Sequence, residues 1–280
     1  MQQRKLGATG RQVARIGQGT WNLERAERRP ALAALRRGIE LGMTHIDTAE
    51  MYGSGRVEEL VGEAIAEHRS DVFLVSKVLP QNASQHGTIA ACEASLRRLK
   101  TDWLDVYLLH WAGHHPLRGT IEAFEELVAQ KKIRAWGVSN FDEAELAEVL
   151  AIAGPGRCAC NQVLYHLEER AIEHAVLPFC AGHEIAMVGY SPFGSGDFPA
   201  QRGAGRVLSE IAGERGATPR QIALAFLTRE PGTFAIPKAA RAIHVEENAA
   251  AGDLELVADE ITRIDAGFPR GRRRRGVPTI

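Results

Sequence analysis

The sequence has no long hydrophobic run and no excess of charge of either sign. No apolar stretch of the 280-residue chain approaches the roughly 18 residues that a membrane-spanning helix needs. Its 34 basic and 35 acidic side chains give a net charge of -1, which favours neither a nucleic acid nor a membrane as partner. The polar segment Met1–Lys5 also lacks the apolar core of a secretory signal. We therefore expect a cytoplasmic protein whose partner is a small molecule.

The chain has few cysteines and no glycine-rich dinucleotide fingerprint. Its four cysteines, Cys92, Cys158, Cys160 and Cys180, lack the spacing of a metal site, so we expect no metal and buried free thiols. Free thiols are typical of a reducing compartment. The alternation of a strand predicts that Cys158 and Cys160 lie on the same face. The lack of a GxGxxG motif argues against a Rossmann domain.

Short apolar runs alternate with segments of helical period along the whole chain, a pattern typical of βαβ units and a parallel sheet. One helical stripe, for example, comprises Val57, Leu60, Val61, Ala64 and Ile65. We predict strands at residues 16–19, 44–47, 72–77, 104–110, 133–139, 158–162, 186–190 and 233–237. A solenoid has a similar period, but these units share no motif. The pattern favours an α/β fold, a single (β/α)₈ TIM barrel domain over residues 1–280.

Some segments lie outside this eightfold scheme. Residues 3–13 contain a turn signal and predict an N-terminal β-hairpin. Thr218 and Gln221 form the pattern of a capping box at a helix start. Residues 258–267 predict an extra C-terminal helix. The basic cluster of Arg270 and residues 272–275 is interpreted as a solvated tail.

Reactive side chains stand at the ends of three successive predicted strands. Asp47 and Tyr52 follow the second strand with four residues between them, Lys77 ends the third, and His110 ends the fourth. In a parallel barrel, the loops at the C-terminal strand ends form the active face. Each residue alone has a simpler structural explanation, such as a turn cap, a surface charge or a core histidine. Together, and with this spacing, they resemble the catalytic tetrad of the aldo-keto reductases, and the resemblance extends over nearly the whole chain.

The resemblance implies that the chain reduces carbonyl groups with a hydride from NADPH, since no amino-acid side chain supplies a hydride. Tyr52 would be the general acid, and Lys77 would lower the pKa of Tyr52. Asp47 would hold Lys77 by a salt bridge, and His110 would orient the substrate oxygen. The residues implied to line the substrate pocket are Trp21, Met51, His110 and Trp111. Packing at the barrel rim is the alternative interpretation of the aromatic members.

The cofactor contacts are also implied by the resemblance. Ser139, Asn140 and Gln162 would bind the nicotinamide carboxamide, and Tyr190 would stack on its ring. Lys238 would bind the 2′-phosphate. The full implied set is Gly19, Thr20, Trp21, Asp47, Ser139, Asn140, Gln162, Tyr190, Ser191, Pro192, Phe193, Ser195, Asp197, Ile236, Pro237, Lys238, Ala239, Arg241, His244, Glu247 and Asn248.

One position in this set departs from the family pattern. His244 stands where the family usually has an arginine for the phosphate, so we expect Arg241 to compensate. Glu247 and Asn248 match the pair that contacts the adenine.

The short sequence after Phe268 and the short connection at residues 112–119 predict a shallow, open pocket. Such a pocket suits small aldehydes and dicarbonyls, and the segments at residues 19–21, 108–111 and 161–166 are most similar to the bacterial methylglyoxal-reductase branch. Keto sugars and aryl aldehydes are alternative substrates. A metal-dependent hydrolase using His110, His114 and His115, and a non-catalytic barrel that senses the cofactor, are alternative functions. We expect a monomer.

Overall fold

The computed structural model describes residues 1–194, 196, 198 and 203–280. The strands are β1 (Gln3–Lys5), β2 (Gln12–Ala14), β3 (Gln18–Gly19), β4 (His45–Asp47), β5 (Phe73–Val78), β6 (Leu104–Leu109), β7 (Ile133–Ser139), β8 (Cys158–Leu164), β9 (Ala186–Tyr190) and β10 (Thr233–Ile236). The helices are α1 (Arg28–Glu40), α2 (Arg56–Ile65), α3 (Gln85–Leu99), α4 (Leu117–Ala129), α5 (Glu143–Ala153), α6 (Val176–Gly182), α7 (Gly205–Arg215), α8 (Pro219–Leu227), α9 (Ala242–Ala250) and α10 (Ala258–Gly267).

Strands β3 to β10 form one parallel sheet in sequence order, and the two ends of the sheet nearly close on each other. The backbone N–H of Gly17 donates to Ala235 O at 2.8 Å, and that of Gly19 donates to Pro237 O at 3.1 Å. Helix α1 packs against both α2 and α9. The first and last helices of the outer layer are therefore neighbours, as the first and last strands of the sheet are. The predicted (β/α)₈ barrel is confirmed, although the first strand is shorter than the predicted segment 16–19.

Alternation along the strands sends reactive side chains into the barrel. On β5, Phe73 and Val75 belong to the interior cluster, whereas Leu74 packs between the strand and the helices. Because side chains alternate, Lys77 continues the interior row and reaches the C-terminal end of the barrel. Asp47 ends β4 in the same way, after the outward-facing Ile46.

The hairpin β1–β2 covers the opposite end of the barrel. Leu6 and Val13 pack in the interior cluster, and Gly7 lies against β8. A Cβ at Gly7 would come within 2.1 Å of Ala159 O, and the residue has a φ of +48°, so this contact requires glycine. The predicted hairpin is confirmed.

Two helices lie outside the eight βα units. Helix α10 coincides with the predicted C-terminal helix and buries Ile264. Helix α7, which the sequence pattern did not predict, packs against α8 and α10. At the start of α8, Thr218 accepts from the backbone N–H of Gln221 at 3.3 Å, which confirms the capping box. No helix in the described ranges is long and apolar enough to cross a membrane.

The cysteine prediction was correct in burial and wrong in geometry. All four thiols are free and buried. However, Cys158 packs in the outer cluster and Cys160 in the interior cluster. The register between β7 and β8 shifts between Trp136 and Val138, so β8 has an extra residue there and the alternation is interrupted.

Candidate active site

The four predicted reactive side chains meet at the C-terminal end of the barrel. The ammonium group of Lys77 donates to Asp47 Oδ2 at 2.7 Å, to Thr48 O at 2.9 Å and to Tyr52 Oη at 3.1 Å. Gln162 Nε2 donates to the other oxygen of Asp47 at 2.7 Å. Lys77 is fully buried, and Tyr52 retains 8% exposure. Of the three linked groups, Asp47 and Tyr52 therefore reach the cavity described below, and the ammonium group of Lys77 is buried behind them.

Burial and charge act in opposite directions on the ionisation of this cluster. Burial disfavours the charged form of Lys77, but Asp47 and Tyr52 outweigh it and raise the pKa of the ammonium group. Burial raises the pKa of Asp47, and Lys77 and Gln162 oppose that shift. Lys77 is accordingly a stable cation at neutral pH.

The expectation that Lys77 gives Tyr52 a low pKa requires correction. Burial raises the pKa of Tyr52 above its usual value, and Asp47 adds to the rise. Lys77 does lower the pKa of the phenol, as expected, but it does not outweigh burial. Tyr52 therefore keeps its proton at neutral pH, while its oxygen accepts the hydrogen bond from Lys77.

His110 lies beside the phenol. Its ring centroid is 5.9 Å from that of Tyr52 and 4.8 Å from that of Trp111, and its Nδ1 is buried without a hydrogen-bond partner. Burial, with a smaller contribution from Lys77, lowers the pKa of His110 to about 2. The imidazole is therefore neutral under physiological conditions.

A network of amide and hydroxyl groups lies next to the tetrad. Tyr190 Oη donates to Asn140 Oδ1 at 2.9 Å, and Asn140 Nδ2 donates to His110 O at 3.1 Å. Ser139 Oγ donates to Gln162 O at 2.8 Å. Asn140 and Ser191 have left-handed backbones, with φ of 61° and 50°, at the ends of β7 and β9. Such backbone strain is typical of functional sites.

These groups line one cavity of about 1000 Å³. Its wall includes the predicted Gly19, Thr20, Trp21, Asp47, Met51, Tyr52, His110, Trp111, Ser139, Asn140, Gln162, Tyr190, Ser191, Pro192, Phe193, Ile236 and Lys238. Lys77 lies behind Asp47 and Tyr52 and does not reach the wall. Ser195 and Asp197 lie outside the described residues. In the described part of the chain, no cluster of His, Cys, Asp or Glu could hold a metal ion.

Of the residues predicted to bind the cofactor in and after β10, only Ile236 and Lys238 line this cavity. Pro237, Ala239, Arg241, His244, Glu247 and Asn248 do not line it. Arg241 Nη2 and His244 Nε2 are 2.8 Å apart. Because a guanidinium has no acceptor, Arg241 donates this bond to His244, and Arg241 is the permanent charge of the pair.

The arginines of residues 270–275 are exposed, as expected of a solvated tail, but three of them also form ion pairs at the surface. Arg273 lies 2.6 Å from Glu143 Oε1, Arg274 lies 3.1 Å from Glu169 Oε2, and Arg270 lies 3.2 Å from Glu173 Oε2. These contacts hold the tail over the β7–α5 and β8–α6 connections. These carboxylates lie far from the arginines in the sequence, so the ion pairs could not be predicted from the composition of the tail.

The same tail forms part of the cavity wall, which the sequence analysis did not predict. Gly276, Val277, Thr279 and Ile280 line the cavity. Sequence reasoning also missed Asn22, Ala112, Asp142, Glu145 and Arg220. Asp142 was detectable as the start of a capping box, which it forms with Glu145, but that pattern indicates a helix start and not a cavity.

Known proteins share this barrel and sequence. The model of the aldo/keto reductase family matches residues 15–267, a range that includes all eight barrel strands. Methylglyoxal reductase YeaE of Escherichia coli (strain K12) is 46% identical over 279 residues, or 96% of each chain. Glyoxal reductase of Bacillus subtilis (strain 168) is 34% identical over 90% of this chain and 87% of its own. A crystal structure of an aldo/keto reductase from Klebsiella pneumoniae, in complex with NADP and acetate, has a TM-score of 0.93 and 43% identity over the whole of both chains.

Proposed function

The chain belongs to the aldo/keto reductase family, and we propose that it uses NADPH to reduce small aldehydes and dicarbonyls, such as methylglyoxal, to alcohols. The main support for this proposal is the position of Tyr52. The phenol of Tyr52 lies at a cavity wall, 3.1 Å from a buried ammonium group, where it can give a proton to a bound carbonyl oxygen. The methylglyoxal and glyoxal reductases among the relatives support the substrate class.

The chemistry of the cavity fits a nicotinamide dinucleotide. A carboxamide needs both donors and acceptors, and Ser139, Asn140 and Gln162 offer hydroxyl and amide groups at adjacent strand ends. The ring of Tyr190 lines the same wall, and the exposed cation of Lys238 lies at the end of β10. The nicotinamide supplies the hydride when bound, which the protein itself lacks.

The protein residues would provide the proton and the orientation. Tyr52 is the general acid, and Lys77 stabilises the phenolate that remains after proton transfer. Asp47 and Thr48 hold the ammonium of Lys77 in place through hydrogen bonds of 2.7 and 2.9 Å. Neutral His110 shares a hydrogen bond with the substrate oxygen and so aligns the carbonyl. Trp21, Met51 and Trp111 form the apolar wall on the substrate side.

A substrate panel tests the proposal. NADPH consumption is measured with methylglyoxal, aryl aldehydes, aldoses and keto sugars, and we expect the highest kcat/KM with methylglyoxal. The non-catalytic, cofactor-sensing alternative predicts NADPH binding without turnover on any of them. A preference for keto sugars or aryl aldehydes would instead correct the substrate class.

We also propose that the enzyme acts as a cytoplasmic monomer. The tetrad, the amide network and the tail all come from one chain, so the site needs no second copy. Gel filtration at the concentration of the activity assay tests this, and a larger species with a concentration-dependent kcat would contradict it.

A further inference from the structure

Two cations in the wall of the active-site cavity have no acidic partner among the described residues. Arg220 and Lys238 line the cavity, and neither forms a hydrogen bond or ion pair through its side chain within the described ranges. The acids in the same wall are already engaged. Asp47 binds Lys77, and Asp142 and Glu145 accept the backbone N–H groups of the capping box at α5. The cavity therefore has positive charge available for an anion.

The position of Arg220 is fixed by the structure around it. It follows Pro219 at the start of α8, between two residues that are both tied to Glu247. Thr218 Oγ1 donates to Glu247 Oε1 at 2.7 Å, and Gln221 Nε2 donates to Glu247 O at 3.0 Å. Arg220 is thereby anchored to α9, in the segment that follows Lys238.

Two aromatic rings hold the guanidinium of Arg220. Its Cζ lies 5.1 Å from the ring centroid of Phe198 and 5.7 Å from that of Phe193. The two rings contact each other edge to face with centroids 5.4 Å apart, and both line the cavity. These cation–π contacts engage none of the N–H groups in a hydrogen bond, so the N–H groups remain available for oxygen atoms of a ligand.

We propose that Arg220 binds a phosphate group of the dinucleotide and that Phe193 and Phe198 hold its guanidinium for this contact. Phosphate oxygens match the forked donors of arginine, whereas a carboxamide or a small carbonyl substrate does not require a full positive charge. Lys238, which also has no side-chain partner among the described residues, gives a second charge for the phosphates of the dinucleotide. The inference depends on the proposed cofactor and adds a residue to its binding site.

The experiment compares dissociation constants of NADPH and NADH for four proteins: the parent, Arg220→Gln, Arg220→Lys and Arg118→Gln. Arg118 is the matched control, since it is also exposed and without an ion pair in the described structure but does not line the cavity. Quenching of protein fluorescence gives the constants directly, because Trp21 and Trp111 lie in the cavity wall. Circular dichroism checks that each variant is folded.

We expect Arg220→Gln to weaken NADPH binding about tenfold, the size of one charge-assisted hydrogen bond. Arg220→Lys should recover part of the loss, because it restores the charge without the planar fork, and Arg118→Gln should match the parent. A loss for NADPH alone assigns Arg220 to the 2′-phosphate, and an equal loss for NADH assigns it to the diphosphate. Unchanged binding of both cofactors by a folded Arg220→Gln protein overturns the inference alone. A parent that binds neither cofactor overturns the proposed function and this inference together.

Discussion

Replacing Lys77 and Asp47 tests how much their buried ion pair contributes to the free energy of unfolding. The two groups are 2.7 Å apart, with side-chain exposures of 0% and 2%. In Lys77→Met, the carboxylate of Asp47 would keep only the side-chain hydrogen bond from Gln162. Leaving one buried charge unpaired costs roughly 3–5 kcal/mol of unfolding free energy. Asp47→Asn should cost a similar amount, because it leaves the ammonium group without its counter-ion.

The double variant should be more stable than the sum of the single losses predicts. With both charges removed, no unpaired charge stays buried, and we expect a coupling energy of about 2–3 kcal/mol. Urea unfolding at pH 7, followed by circular dichroism, gives the free energies of all four proteins. The surface pair Arg263–Glu214 serves as the control, and its losses should be nearly additive because solvent screens the two charges. Additive losses at Lys77 and Asp47 would refute the buried-pair argument.

Three further predictions concern the pH dependence, the tail and the cofactor. Because the pKa of His110 is lowered to about 2, kcat/KM for reduction should show no inflection in the ordinary range of histidine, and an inflection that His110→Asn removes would contradict this. The double variant Arg273→Gln/Arg274→Gln should release the tail from the cavity wall and so raise KM for methylglyoxal. It should also remove the salt dependence of that KM, because the ion pairs that salt screens are gone. Unchanged KM values would show that the tail keeps its position without these ion pairs. Lys238→Ala should weaken NADPH binding about tenfold and leave NADH binding unchanged, whereas equal losses would exclude the 2′-phosphate as its partner.

The barrel and the tetrad could be predicted because each rests on a local pattern. Apolar runs ending in Asp47, Lys77 and His110 mark strand ends, and a parallel barrel necessarily brings such ends to one face. The pairing of Lys77 with both Asp47 and Tyr52 follows from that placement once the side chains alternate correctly along β4 and β5.

The missed features depend on contacts between distant segments. Arg273 and Arg274 of the exposed tail meet Glu143 and Glu169 only in the folded chain, so the composition of the tail did not indicate these ion pairs. The pKa of Tyr52 depends on how completely the barrel buries it, and no sequence pattern gives that extent. The sequence around Arg220 indicated only the start of a helix. Its aromatic partners, Phe193 and Phe198, lie in the connection between β9 and α7.

The central claim is that the phenolic proton of Tyr52 reaches the carbonyl oxygen. Tyr52→Phe removes the hydroxyl and keeps the ring, so cofactor binding should remain as in the parent while the single-turnover rate of NADPH oxidation by methylglyoxal falls by roughly 10² to 10⁴. Measuring that rate together with the NADPH dissociation constant of the same protein separates proton donation from binding. A rate within about threefold of the parent, with NADPH bound normally, would contradict the claim.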